Sequence, residues 1–274
     1  MNIVKINGSV AEQMFQYGFY LALLQHDPEA RLDVPAGKWI SSRFRLPRFL
    51  EAKPAMLEPF GRGSMKSRLL SRLRKPAGTI VTEPADHACH HELLQATDSY
   101  FDGRWLSPRY WSSDVAQALR EAFSVPLKQL PASARRIVNM LSQGKSVALH
   151  VHEPEAKDGT CTRDYYNWAI ANVMSTYRDA HFYVFTTSQQ WAEQNLEFNG
   201  AKHDFIAYPA DQEIGLLPYL YHANHHIVSA TLTSWWTAWL CDRPDRIVIA
   251  PEQWSKRHTY PDLIPQDWTT IPTT

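Results

Sequence analysis

His150 and His152 stand two residues apart in the run Leu149-His150-Val151-His152-Glu153-Pro154-Glu155. Val147 to Val151 reads as an apolar strand, and side chains two apart on a strand share a face. Two imidazoles beside the Glu155 carboxylate are candidates for acid–base catalysis. The same pair could begin a metal site, with a third ligand from His222, His225 or His226. No recognised ligand spacing joins these residues, so no metal and no cofactor is expected. The plain alternative is two histidines at the end of a strand.

A second constellation is Ser229-Ala230-Thr231-Leu232-Thr233-Ser234-Trp235-Trp236-Thr237-Ala238-Trp239-Leu240. Here a strand runs into a hydroxyl-rich turn that opens a helix. Backbone N–H groups at a helix start, helped by Ser229, Thr231, Thr233 and Ser234, can cradle a diphosphate without glycine. Ser234 could equally be only an N-cap. Trp239 reads as core at helical spacing. A third run, Glu12-Gln13-Met14-Phe15-Gln16-Tyr17, opens the first helix with two amides and an aromatic ring.

The elements that must hold these groups alternate along the second half. Strands are expected at 147–151, 182–185, 204–208, 226–229 and 246–250. Helices are expected at 164–177, 188–196, 213–223 and 234–241. That order builds a parallel sheet covered on both faces, which binds ligands at the carboxyl ends of its strands. The first half opens with a strand at 3–6, a helix over 12–24 and a second strand at 31–34. After a helical segment at 132–141, the boundary is placed at Gln143-Gly144. This gives a 1–143 domain and a 144–274 domain.

Composition narrows the function classes. The chain has 274 residues, 28 Lys plus Arg and 28 Asp plus Glu. A zero net charge argues against coating nucleic acid, which needs a basic excess. Residues 59–82 hold six basic groups and no acid, leaving 22 basic groups against 28 acids elsewhere. Over 62–75 a basic helix with one apolar stripe would suit an anionic membrane face, or simply a solvated surface. Cys89, Cys161 and Cys241 read as free thiols in a reducing compartment. No apolar run is long enough to span a bilayer and no signal peptide is evident, so a cytoplasmic location is expected, with peripheral contact at the inner membrane face as an alternative should residues 62–75 bind lipid. Rossmann, P-loop, nucleophile-elbow and zinc-protease motifs are absent from the sequence.

Taken together, several segments resemble glycosyltransferase family eleven, the α-1,2-fucosyltransferases. Gln13-Met14-Phe15-Gln16-Tyr17 is similar to the family's N-terminal Gly-Leu-Gly-Asn-Gln-Met-Phe-Gln-Tyr. Tyr100-Phe101-Asp102-Gly103-Arg104-Trp105-Leu106-Ser107, Asp164-Tyr165-Tyr166, Ala230 to Leu240 and Ile247 to Trp254 match further motifs in the family's order. The resemblance implies an α/β, GT-B-like fold of two Rossmann-like domains with parallel sheets. It implies metal-independent transfer of a sugar from a nucleotide-sugar donor, GDP-fucose in the family, to a glycan hydroxyl. The acceptor side would be the N-terminal domain, with Glu12, Gln13, Gln16 and Tyr17. The donor side would be the C-terminal domain, with Ser229, Thr231, Thr233, Ser234, Thr187 and Arg163. Surface polysaccharide or O-antigen synthesis is the expected setting, with an acceptor that could be lipid-linked.

The sequence departs from the family where charge is handled. The family's His-x-Arg-Arg-x-Asp stands here as His150-Val151-His152-Glu153-Pro154-Glu155, so both arginines are missing. Its Phe-Ser-Asp-Asp stands as Phe185-Thr186-Thr187-Ser188. His150, His152 and Glu155 are then the catalytic candidates, while Arg163, Arg243 or Lys157 would meet the phosphates. The competing expectation is a non-catalytic descendant that binds glycan or serves as a scaffold.

Overall fold

The computed structural model describes residues 1–34, 78–125, 127–152 and 160–273. The basic segment 62–75, Glu153, Glu155 and Lys157 lie outside the described residues. The chain divides into two compact units: Met1–Phe123 with Tyr260–Leu263, and Ser124–Thr259 with Ile264–Thr274.

The first unit carries strands β1 (Ile3–Lys5), β2 (Arg31–Asp33), β3 (Thr79–Thr82) and β4 (Ser99–Asp102), with helix α1 (Val10–Leu24) and helix α2 (Ser113–Phe123). Its described strands are parallel in the order β2-β1-β4-β3. Ser9 starts α1 with a reciprocal cap: its hydroxyl accepts from the Glu12 N–H, and Glu12 accepts from the Ser9 N–H at 2.8 Å. Phe19 of α1 is fully buried, stacked on Trp105 at 4.3 Å and edge-on to Tyr110 at 5.0 Å. Burying a ring of that size stabilises by about 1.5–3 kcal/mol. Gly18 is needed on the same helix, because a Cβ there would sit 2.5 Å from the Trp111 ring nitrogen. Late in the chain, Asp262 completes this unit. Its carboxylate accepts from the Cys89 N–H at 2.7 Å, the Ser107 hydroxyl at 3.3 Å and Arg109 at 3.1 Å.

The second unit opens with helix α3 (Ala132–Leu141) and strand β5 (Ser146–Val151). It continues with α4 (Arg163–Thr176), β6 (His181–Thr186), α5 (Gln189–Asn195) and β7 (Lys202–Ala207). After a tight 3₁₀ segment at Ala210–Leu216 come α6 (Leu217–Leu220), β8 (His225–Ile227), α7 (Leu232–Leu240), β9 (Val248–Pro251) and β10 (Thr269–Ile271). The sheet is parallel, in the order β10-β9-β8-β5-β6-β7. All six residues of β5 are buried, as its central position and near-continuous apolar sequence require. Two parallel α/β units in one chain match the expected two-domain, GT-B-like class.

The observed division falls before α3 rather than after it. Ile137, Met140 and Leu141 of α3 pack with Ala148, Tyr183 and Phe185 of the second sheet, so this helix belongs to that unit's core. The helix expected over 213–223 is also different: Glu213 lies in the 3₁₀ segment, and only 217–220 is α-helical. Pro218 suits the first turn of that short helix, where its missing N–H costs nothing.

Candidate active site

Strand β5 delivers His150 and His152 to its carboxyl end on one face, with ring centroids 5.1 Å apart. His150 is buried and His152 is about one-quarter exposed. The register Val151↔Thr186 puts the end of β6 alongside, and Tyr208 follows β7. The Tyr208 hydroxyl hydrogen-bonds His150 Nε2 and lies 3.3 Å from His152 Nε2. Glu213 arrives from the 3₁₀ segment. Its Oε1 is 3.4 Å from His152 Nε2 and 3.8 Å from His150 Nε2.

The hydroxyl-rich turn closes this cluster from the other side. Thr231 Oγ1 donates to Glu213 Oε1 at 2.6 Å and accepts from the Ser234 N–H at 3.2 Å. Thr231, not Ser234, is therefore the N-cap of α7. The Ser234 hydroxyl instead accepts from the Ser229 N–H at 3.0 Å, and Ser229, Thr233 and Ser234 are buried. Ser229 Oγ lies 3.5 Å from Thr231 Oγ1. Behind the turn, Trp235 and Trp236 are fully buried and Trp239 stacks on Trp235 at 5.8 Å, so the tryptophan motif is core.

Burial sets the charge of these groups. It pushes the His150 imidazole down to about 3, against the opposing pull of Glu213, so this ring is neutral at physiological pH. Burial alone would raise Glu213, but hydrogen bonds from His152 and Thr231 and the nearby histidines outweigh it and bring the carboxyl to about 2. Tyr208 is held well above the usual phenol range by burial and by the Glu213 carboxylate. The site is thus an anionic carboxylate facing two ring nitrogens and a protonated phenol. Ligand atoms of His150, His152 and Glu213 all lie within 4.8 Å of one another, a spacing that could hold a metal ion.

Other expected residues go elsewhere. His225 stacks on Tyr177 at 4.6 Å, and His226 is buried within β8, so neither His225 nor His226 joins His150 and His152 in that cluster. Arg163 is exposed and pairs with Asp164 at 3.0 Å. Thr187 sits in the turn after β6, at the carboxyl end of that strand. In the first unit, Glu12 caps α1 and pairs with Arg104 at 3.3 Å. Gln13 donates to the Gly8 carbonyl at 3.1 Å, and Gln16 ties Asn7 to the Gly103 carbonyl at 2.8 and 2.9 Å. Tyr17 is buried and its phenol is raised by burial. These four side chains shape the β1–α1 turn and the helix behind it.

Residues 147–271 match the model of the family described as Glycosyl transferase family 11. The match covers just under half of the chain, and that stretch is similar to a family 11 glycosyltransferase domain. An Alpha-1,2-colitosyltransferase of Escherichia coli is 25% identical over an alignment of 288 residues, covering 98% of each chain. The O-antigen biosynthesis glycosyltransferase WbnK of Escherichia coli is 24% identical over 112 residues, which is 40% of this chain and 36% of that protein. Among solved structures, the E. coli ADP-heptose lps heptosyltransferase II superposes with a TM-score of 0.44 at 16% identity, covering 99% of this chain and 90% of that one. Within the matched stretch, the chemistry-bearing cluster includes two residues that the motifs did not mark, Tyr208 and Glu213. Both follow β7, 58 and 63 residues after His150, and no local spacing links them to it. The one signal available was an acid and a tyrosine placed just beyond a strand's carboxyl end.

Proposed function

We propose that the protein transfers a sugar from a nucleotide-sugar donor to a hydroxyl of a surface glycan in O-antigen synthesis. The family and the colitosyltransferase relative support a fucosyl or colitosyl donor carried on GDP. The observation that carries the reading is the polar cluster His150–His152–Tyr208–Glu213 with its Thr231 cap, at the carboxyl ends of the strands in the matched stretch. Ligands of open parallel sheets sit there. The cluster faces the donor's diphosphate end, with Ser229, Thr231 and Thr187 as the neighbouring hydroxyls. His150, neutral and bonded to Tyr208, acts there as a positioning group rather than a proton donor. Glu12, Gln13, Gln16 and Tyr17 shape the acceptor side through the β1–α1 turn.

Calorimetric titration of the purified protein with GDP, UDP and CMP tests this. The expected result is saturable binding of GDP, followed by transfer from a GDP-linked sugar to an O-antigen repeat. Preference for UDP or CMP would keep the transferase and remove the GDP donor. No binding at millimolar nucleotide would sink the reading and favour a non-catalytic glycan-binding descendant, which the missing arginine pair would also explain.

A further inference from the structure

We propose that His150, His152 and Glu213 form a binding site for one divalent transition-metal cation. Two imidazole nitrogens and a carboxylate on one cation are an established ligand set, one that leaves a position open for a substrate or water. Metal–nitrogen and metal–oxygen bonds of about 2.0–2.2 Å in tetrahedral geometry space neighbouring ligand atoms by roughly 3.3–3.5 Å. Glu213 Oε1 already lies 3.4 Å from His152 Nε2 and 3.8 Å from His150 Nε2, with all ligand atoms inside 4.8 Å.

The surroundings favour a soft-to-borderline cation over calcium or magnesium, because two of the three donors are imidazole nitrogens. Strand β5 fixes His150, and the Tyr166 hydroxyl, which accepts from the His152 backbone N–H at 3.1 Å, fixes the chain at His152. Thr231 orients the Glu213 carboxylate from outside the triad at 2.6 Å, as an outer-sphere partner does. The Tyr208 hydroxyl now hydrogen-bonds both Nε2 atoms, contacts that a cation on those nitrogens replaces.

The role of the cation rests on the nucleotide-sugar reading, whereas its binding does not. A diphosphate needs positive charge to meet it, and the cluster presents a carboxylate instead. Arg163 is engaged with Asp164. A divalent cation on the triad turns a site that repels phosphate into one that attracts it, supplying two positive charges at the strand end. His150 and His152 then act as ligands to the cation.

The test uses untagged full-length protein stripped with chelator and titrated with Co²⁺, read by its visible d–d absorption, with Zn²⁺ competition by calorimetry. The expected result is one Co²⁺ per chain in a low-coordinate spectrum. Affinity should fall at least tenfold in His152→Ala and in Glu213→Gln, and should be unchanged in His181→Ala, whose ring pairs with Asp204 at the surface. Circular dichroism confirms that each variant is folded. His152, part-exposed, is the variant to rely on if His150→Ala does not fold. No saturable binding at millimolar Co²⁺, or equal binding in His152→Ala and Glu213→Gln, overturns the site. A parallel GDP titration with and without Zn²⁺ separates the two readings. Metal bound with unchanged GDP affinity overturns the phosphate role alone, and GDP binding in chelator by a protein that takes no Co²⁺ overturns the metal site alone.

Discussion

Replacing Thr231 by Val should loosen the second unit by about 3 kcal/mol, because one hydroxyl serves two partners. Its oxygen accepts the Ser234 N–H at the start of α7, and losing such a cap costs about 0.5–2 kcal/mol. Its proton goes to the charged Glu213 carboxylate at 2.6 Å, a bond of about 1.5–3 kcal/mol. Val keeps the branched shape, so the loss reports the hydroxyl and not a cavity. With a urea slope of about 2 kcal/mol per molar, the midpoint should fall by roughly 1.5 M. Tryptophan fluorescence follows the transition, since Trp235 and Trp236 lie buried on the capped helix. Thr231→Ser should stay close to wild type. In a Glu213→Ala background the same Thr231→Val change should cost only the cap, about 1 kcal/mol, leaving a coupling of about 2 kcal/mol between the two side chains. A Val variant within 0.5 kcal/mol of wild type, or a cycle with no coupling, would refute the two-partner reasoning.

Three further outcomes follow from burial. Gly18→Ala should destabilise the first unit by about 1–3 kcal/mol despite its gain in helix propensity, because the new Cβ meets the Trp111 ring at 2.5–2.9 Å; a raised melting temperature would contradict this. Burial holds His226 down to about 3, below the roughly 6.5 of the unfolded chain, so its stabilising contribution is complete above pH 6.5 and drains away as pH falls toward 3. At pH 5 that residue alone should have cost about 2 kcal/mol, and urea midpoints at pH 7.5 and 5 should converge by that amount in His226→Leu; identical pH dependence in the two proteins would remove the argument. Burial raises the thiols of Cys161 to about 12 and Cys89 to about 11, so a disulfide reagent at pH 8 should react slowly with Cys89 and reach Cys161 and Cys241 only on unfolding; a fast native thiol would show the burial to be wrong.

The second sheet was readable in advance because its central strands are buried on both faces. Val147, Leu149 and Val151, or Phe182, Val184 and Phe185, have no water-facing side to interrupt the apolar run. Short edge elements were harder. Thr269–Ile271 exposes two of its three residues and reads as loop, and β3 is mostly exposed and gives no core signal. Helix α3 reads from sequence as the last helix of the first domain because its amphipathic pattern does not say which sheet it covers. The site was half legible. His150 and His152 share a face because strand periodicity demands it. Tyr208 and Glu213 escaped because tertiary folding, not spacing, brings them to the strand end. The acceptor-side amides had the opposite fate: their motif was visible, yet the structure engages them in holding a turn.

The engagement of Asp262 has a consequence for how the molecule is made. Arg109 and its carboxylate partner are 153 residues apart in the chain. At about 5–20 residues per second, a ribosome delivers that partner roughly 8–30 s after Arg109. Until then the Cys89 amide, the Ser107 hydroxyl and the Arg109 guanidinium wait without it. The first unit to be synthesised is therefore completed only after most of the second unit's strands have been made.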